Sequence, residues 1–178
     1  MLEKLKLKID ALGKAQWQSL LHYVVELHEK GLHSPFSYLP YMWEDIAPGQ
    51  FKGGVFGNWD TLHIAWNHVY CASGHAKDQI FNILALQSED GFLPGSLVLD
   101  EIQFKWNSNV TFPPLWPIIL QEYYQETKDI KVIKKAYPLL IKQLRWFENN
   151  RKTKEGGFYY IDILDQICES GVENSPRF

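Results

Sequence analysis

The stretch TFPPLWPIILQEYYQETKDIKVIKKAYPLLIKQLRWFENNRK, residues Thr111 to Lys152, reads as two helices in succession. Its first half opens with Pro113, Pro114 and Pro117, where a helix's first turn tolerates proline. Leu115, Ile119 and Tyr123 then follow at a spacing of four. Its second half is the best amphipathic segment of the chain. Ile133, Ala136, Tyr137, Leu140, Leu144 and Phe147 form an apolar stripe, with Pro138 as a candidate kink. A helix pair of this kind sets the fold class if it recurs.

It does recur upstream. Trp59 to Cys71 returns Leu62, Ala65, Trp66, Val69 and Tyr70 at helical spacing, Ser73-Gly74 breaks it, and His75 to Ser88 resumes with Ile80, Ile83 and Leu84 inward. Leu2 to Gly31 also reads as helix, broken near Gly13 and stopped by Gly31, with Trp17, Leu20, Leu21, Val24 and Leu27 on one face. The connections are long. Ser34 to Asn58 is irregular and rich in Pro and Gly, and such a loop is uncommon unless it has work to do. "EDGFLPG" (Glu89–Gly95) is a turn cluster, Leu97 to Val110 is irregular or briefly extended, and "EGGFYYIDI" (Glu155–Ile163) is a turn with a short extended piece. No βαβ alternation and no short solenoid period is present. Paired helices with long loops at one rim predict an all-α fold, an α/α toroid of antiparallel hairpins. A helical bundle competes, but bundles prefer short connections.

Composition narrows the function. The 178 residues are 46% hydrophobic and 22% charged, ordinary for a globular protein. A net charge of −3 and a pI near 6.1 give no basic footprint for nucleic acid. No apolar run approaches the ~20 residues of a membrane span. The N-terminal lysines alternate with Glu, Asp and Leu, so neither a polybasic anchor nor a signal peptide is expected. Cys71 and Cys168 have no metal spacing, and a reducing, cytoplasmic setting is the expectation. The unusual quantity is 15% aromatic residues with 7 Trp, several of them in or beside Gly- and Pro-rich stretches: Trp43, Trp59, Trp106 and Trp116. Flat apolar faces on loops suit the C–H faces of sugar rings.

Four segments stand out in order: "FGNWDTLHIAW" (Phe56–Trp66), "LQSEDGFLPG" (Leu86–Gly95), "TFPPLWPIILQEYYQET" (Thr111–Thr127) and "ESGVENSPRF" (Glu169–Phe178). Together they resemble the catalytic barrel of glycoside hydrolase family 63, the mannosylglycerate hydrolases and their trehalase relatives. That family shares a Trp-Asp opening a helix, a Gln…Asp-Gly…Pro turn, a Pro-Pro helix start and a Glu-Ser-Gly-x-acid loop. The likeness runs from about Phe56 to Phe178. It implies an (α/α)6 toroid of six hairpins, of which about half is counted here. Residues 1–178 are therefore expected to be the N-terminal portion of one such domain, its C-terminal half missing.

The resemblance also implies chemistry. The acid of the Glu-Ser-Gly-x-acid loop is the general acid, here Glu173, in an inverting hydrolysis of small α-glucosides or α-mannosides. A second carboxylate, ~6.5–9.5 Å away, activates water from the opposite face of the sugar. In the family it lies downstream, which implies a fragment that stops before its base. The family's usual acid is Asp, one methylene shorter than Glu173, and Val172 replaces the commoner Met. Asp60 is expected to bind two sugar hydroxyls in the −1 subsite, or else to sit as a helix N-terminal carboxylate. Trp59 walls that subsite or packs in the core, and Trp106 is a candidate stacking residue at a plus subsite. Glu169 binds sugar hydroxyls or pairs with Arg177, and Gln87 lies in the same motif set as a binding candidate. Asp90, beside Gly91, reads as a turn residue. His63, His68 and His75 lack a common helix face at i, i+4 and are expected in core or surface roles, with no metal and no cofactor. Ser170 has no His–Asp partner in sequence and is no nucleophile. The expected partner is an oligosaccharide or small glycoside, with self-association through the uncovered half-barrel face. Two rival readings are a non-catalytic carbohydrate-binding or pseudoenzyme fragment and an α/α-barrel epimerase or lyase, the latter disfavoured by the Glu-Ser-Gly-x-acid loop.

Overall fold

Helical hairpins dominate the chain. The computed structural model describes residues 2–12, 14–100, 103–106, 110–163 and 167–171, with the backbone alone at 100, 103–106, 167 and 168. Among these, α1 (Leu2–Ala11) and α2 (Ala15–Gly31) form the first antiparallel pair, α3 (Asn58–Val69) and α4 (Ser73–Ala85) the second, and α5 (Trp116–Thr127) and α6 (Ile130–Asn150) the third. α5 packs on both α3 and α4, so the second and third hairpins share one core of Leu62, Ala65, Ile80, Ile83, Trp116, Ile119 and Ala136. This is the all-α architecture expected of an arc of an α/α toroid.

The loops at one end carry short strands, some within stretches that the sequence marks as briefly extended (97–110 and 155–163) and some, in 34–58, that it marks as irregular. Two-residue strands β1 (Leu32–His33) and β2 (Trp43–Glu44) pair antiparallel. β3 (Val55–Gly57), β4 (Ser96–Asp100) and β5 (Gln103–Trp106) form a three-stranded antiparallel sheet, Phe56 opposite Leu97 and Leu97 opposite Trp106. β6 (Asp162–Ile163) and β7 (Ile167–Cys168) make a last small hairpin. The long 34–58 connection is held by buried polar side chains. Asn82 Oδ1 accepts from the Tyr41 amide at 3.0 Å, Gln79 Nε2 donates to the Met42 carbonyl at 2.8 Å, and Asp45 Oδ1 accepts from the amides of Ala47 and Val55 at 2.8 and 3.0 Å.

Two apolar faces depart from the sequence reading. In α6 the buried positions are Val132, Ala136, Gln143, Trp146 and Phe147, whereas Tyr137 and Leu144 of the expected stripe are exposed. The segment is apolar over a wider arc than one neighbour covers, and Pro138 lies within a continuous helix. In α2 the buried residues are Val25, His28 and Gly31, while Trp17, Leu20 and Leu27 face outward. The expected stripe is real, but α1 and β2 cover a different flank. No helix among the described residues is long and apolar enough to cross a membrane.

Candidate sugar site

Helix α3 begins where β3 ends, with Gly57 at its N-cap. Trp59 and Asp60 therefore sit in its first turn, with Trp59 half-buried and Asp60 exposed. No side chain caps this helix. Asp60 thus gains from the helix dipole without spending its carboxylate on a capping bond. Gly57 makes room for it: a Cβ there would lie 3.1 Å from Asp60 Oδ2 and 2.6 Å from Ile46 Cδ1.

The four sequence motifs meet around this helix start. The Asn58 amide donates to the Gly95 carbonyl at 2.8 Å, joining "FGNWD" to "LPG". The Gly95 amide donates to the Val110 carbonyl at 2.8 Å, which brings in the residue before "TFPP". The Thr111 amide donates to Glu169 Oε1 at 3.3 Å, joining "TFPP" to "ESG". Gly171 closes the circuit, since a Cβ on it would lie 4.0 Å from the Trp59 indole. Segments from four loops, over a hundred residues apart in sequence, thereby form one rim.

Glu169 anchors the last of these loops. It is fully buried, and Arg151 donates to it twice, Nε to Oε2 and Nη2 to Oε1, each at 2.8 Å. The Ile161 amide adds a 2.8 Å bond to Oε2. With Thr111, this makes four donors on one carboxylate, which is the condition for keeping a charge buried. The neighbouring Ser170 amide donates to Asp162 Oδ1 at 3.0 Å. Glu169 is thus engaged inside the fold, with Arg151 as its charged partner. Arg177, the partner read from sequence, lies outside the described residues, and Arg151 carries no motif signal because it sits just past the end of α6.

Gln87 Nε2 donates to the carbonyls of Gly91 and Leu139 at 3.2 and 3.0 Å. Its amide thus ties the Asp-Gly turn to α6. Asp90 holds that turn as read from sequence, accepting from the Ser88 hydroxyl and, at 3.2 Å, from the Phe92 amide. Trp106 lies on β5 opposite Leu97, and only its backbone is described. Glu173 and Arg177 lie outside the described residues.

The histidines behave differently. His63 lies against Trp59, ring centroids 5.5 Å apart. His68 and His75 are buried and both donate to Glu44 Oε1, at 2.8 and 2.7 Å. His28 Nδ1 meets Glu44 Oε2 at 2.5 Å. Burial pushes the Glu44 carboxyl up, but the three imidazoles outweigh it and hold the group well below the usual carboxylate range. Burial pushes His68 down, against the pull of Glu44. Nothing in the sequence spacing links these four residues, which come from α2, β2, α3 and α4.

A family model described as the mannosylglycerate hydrolase MGH1-like glycoside hydrolase domain matches residues 56–178, the span that contains all four motifs. No curated protein matches the chain.

Proposed function

The chain belongs to the MGH1-like glycoside hydrolase domain family, and from that premise we propose that its four-motif rim is part of the −1 subsite of an inverting glycosidase acting on small α-glucosides or α-mannosides. The observation that supports this reading is the position of Gly171, where an added Cβ would come within 4.0 Å of the Trp59 indole. It sets the loop that leads to Glu173 beside the helix start that presents Asp60. A sugar bound there would rest its apolar face on Trp59 and give hydroxyl hydrogens to Asp60, an exposed carboxylate with room above Gly57.

In this reading Glu173 is the general acid that protonates the departing glycosidic oxygen, and Trp106 stacks the aglycone side. Glu169 acts through the loop: its four hydrogen bonds hold the backbone that carries the acid, so it is a positioning residue. Gln87 plays the same part for the Asp-Gly turn. A second carboxylate would activate water across the sugar, ~6.5–9.5 Å from the acid, and we assign it to no described residue. Residues 1–178 would be the N-terminal portion of one toroid. The chemistry needs only two carboxyl groups and water, and the buried free thiol of Cys71 suits a reducing, cytoplasmic setting.

A non-catalytic carbohydrate-binding role is the second reading, favoured by Glu173 standing where the family carries Asp. Substitution separates the two in the protein that carries this domain. Glu173→Gln should lower hydrolysis of unactivated α-glycosides by about 10²–10⁴-fold, the usual worth of general acid catalysis. α-Glycosyl fluorides need little protonation and should lose much less. Equal losses on both substrates would remove Glu173 from the acid role, and no hydrolysis by the unsubstituted protein would leave the binding reading. The first-formed product, followed by proton NMR, should be the β-anomer; an α-anomer would contradict inversion.

A further inference from the structure

We propose that His28, Glu44 and His68 form a binding site for a divalent transition-metal ion of the zinc class, buried between the N-terminal helices and the α3–α4 hairpin. The donor atoms, one from each residue, all lie within 4.8 Å of one another. Their side chains are 7%, 2% and 0% exposed. Imidazole nitrogen with one carboxylate is the donor set that zinc and its neighbours prefer.

Two further observations point the same way. First, outer contacts orient the set. His75 Nε2 donates to Glu44 Oε1 at 2.7 Å, and Gln79 Nε2 approaches His75 Nδ1 at 3.4 Å, an arrangement of the kind that fixes ligating carboxylates. Second, a cleft of about 520 Å³ lined by Met42, Cys71 and Asp78 reaches His75, the residue that backs Glu44.

The Glu44–imidazole separations of 2.5 and 2.8 Å are those of hydrogen bonds. Donors around one zinc at 2.0–2.1 Å stand roughly 3.3 Å apart. Loading therefore requires the Glu44 carboxylate to draw back by about half an ångström to one ångström, within reach of rotation about its side-chain bonds.

The site lies apart from the rim. His68 lies eight residues beyond Asp60 on α3, ~12 Å along the axis. The ion would pin α2 and β2, which precede the matched residues, onto the hairpin that carries the sugar-binding candidates.

The test uses the 178-residue chain with zinc and cobalt ions as probes. After stripping with chelator, loading with zinc and gel filtration, it should retain about one equivalent, and its Tm should rise by roughly 5 °C or more. Cobalt loading should produce visible d–d absorption. The double variant His28→Gln, His68→Gln, if its far-ultraviolet circular dichroism matches the unsubstituted chain, should retain less than about a tenth of an equivalent. Retention below a tenth of an equivalent by the unsubstituted chain, with a Tm unmoved by zinc or chelator, would overturn the proposal and leave the cluster a hydrogen-bonded one. So would full retention by the folded double variant. If that variant does not fold, the stoichiometry and cobalt spectrum of the unsubstituted chain decide.

Discussion

Asp60 and Glu169 are carboxylates in neighbouring motifs that meet opposite environments. Asp60 is exposed in the first turn of α3 with no capping bond, while Glu169 is buried under four donors. Breaking a buried pair leaves an uncompensated charge and costs about 3–5 kcal/mol. Glu169→Gln should therefore lower Tm by roughly 10 °C, taking ~2–4 °C per kcal/mol for a chain of this size. An unchanged melt with lost sugar binding would return Glu169 to the sugar-binding role read from sequence. The sequence could not separate these residues, because each is an acid in a Gly-rich loop. What separates them is the set of donors that tertiary structure delivers, and Arg151, Ile161 and Thr111 belong to three other segments. The same holds for Glu44, whose imidazole partners come from three helices.

At the scale of elements, the helices were legible, and the short strands only in part: the extended pieces read in 97–110 and 155–163 contain β5, β6 and most of β4, while β1, β2 and β3 gave no signal. α3 falls within two residues of the expected bounds and α4 within three, because long periodic segments carry their own signal, whereas α5 begins only at Trp116 and leaves Pro113 and Pro114 outside the helix they were read as opening. β3, β4 and β5 are too short to show clear alternation; β3 exists through pairing with β4 some forty residues on, while β4 and β5 form a tight hairpin. The α6 stripe was identified but its direction was displaced, since an arc apolar from Val132 to Phe147 does not say which part a neighbour covers. The Asp-Gly turn shows what the packing demands. Gly91 has φ +101°, and a Cβ on it would lie 2.2 Å from the Lys142 carbonyl oxygen in α6. Gly91→Ala thus combines backbone strain of about 1–3 kcal/mol with displacement of a helix backbone, typically ~1–3 kcal/mol for overpacking. Gly156 has φ +89° with no atom within 4 Å of the added Cβ, so Gly156→Ala should cost only about 1–2 kcal/mol. Urea midpoints should rank the two in that order; equal shifts would mean that the turn does not press on α6.

For the whole molecule, the uncovered faces matter most. Tyr137, Leu144 and Phe158 are 59%, 46% and 54% exposed, and apolar clefts lie beside them, one lined by Pro114, Leu140, Phe147 and Tyr160. Contiguous apolar surface of this kind marks an interaction site or an aggregation liability. The 178-residue chain should therefore associate with rising concentration in sedimentation velocity. A monodisperse monomer with a cooperative, high-temperature melt would show that these faces need no cover. The central claim concerns the rim, and titration of the chain with methyl α-glucoside and methyl α-mannoside, followed by Trp fluorescence, tests it most directly. The account predicts saturable binding of at least one of them near the millimolar range, ~4 kcal/mol on the standard scale, and its loss in a folded Asp60→Ala variant. Binding that is unchanged by Asp60→Ala would contradict the account and leave Asp60 a helix N-terminal charge; absence of binding by the unsubstituted chain would contradict it as well.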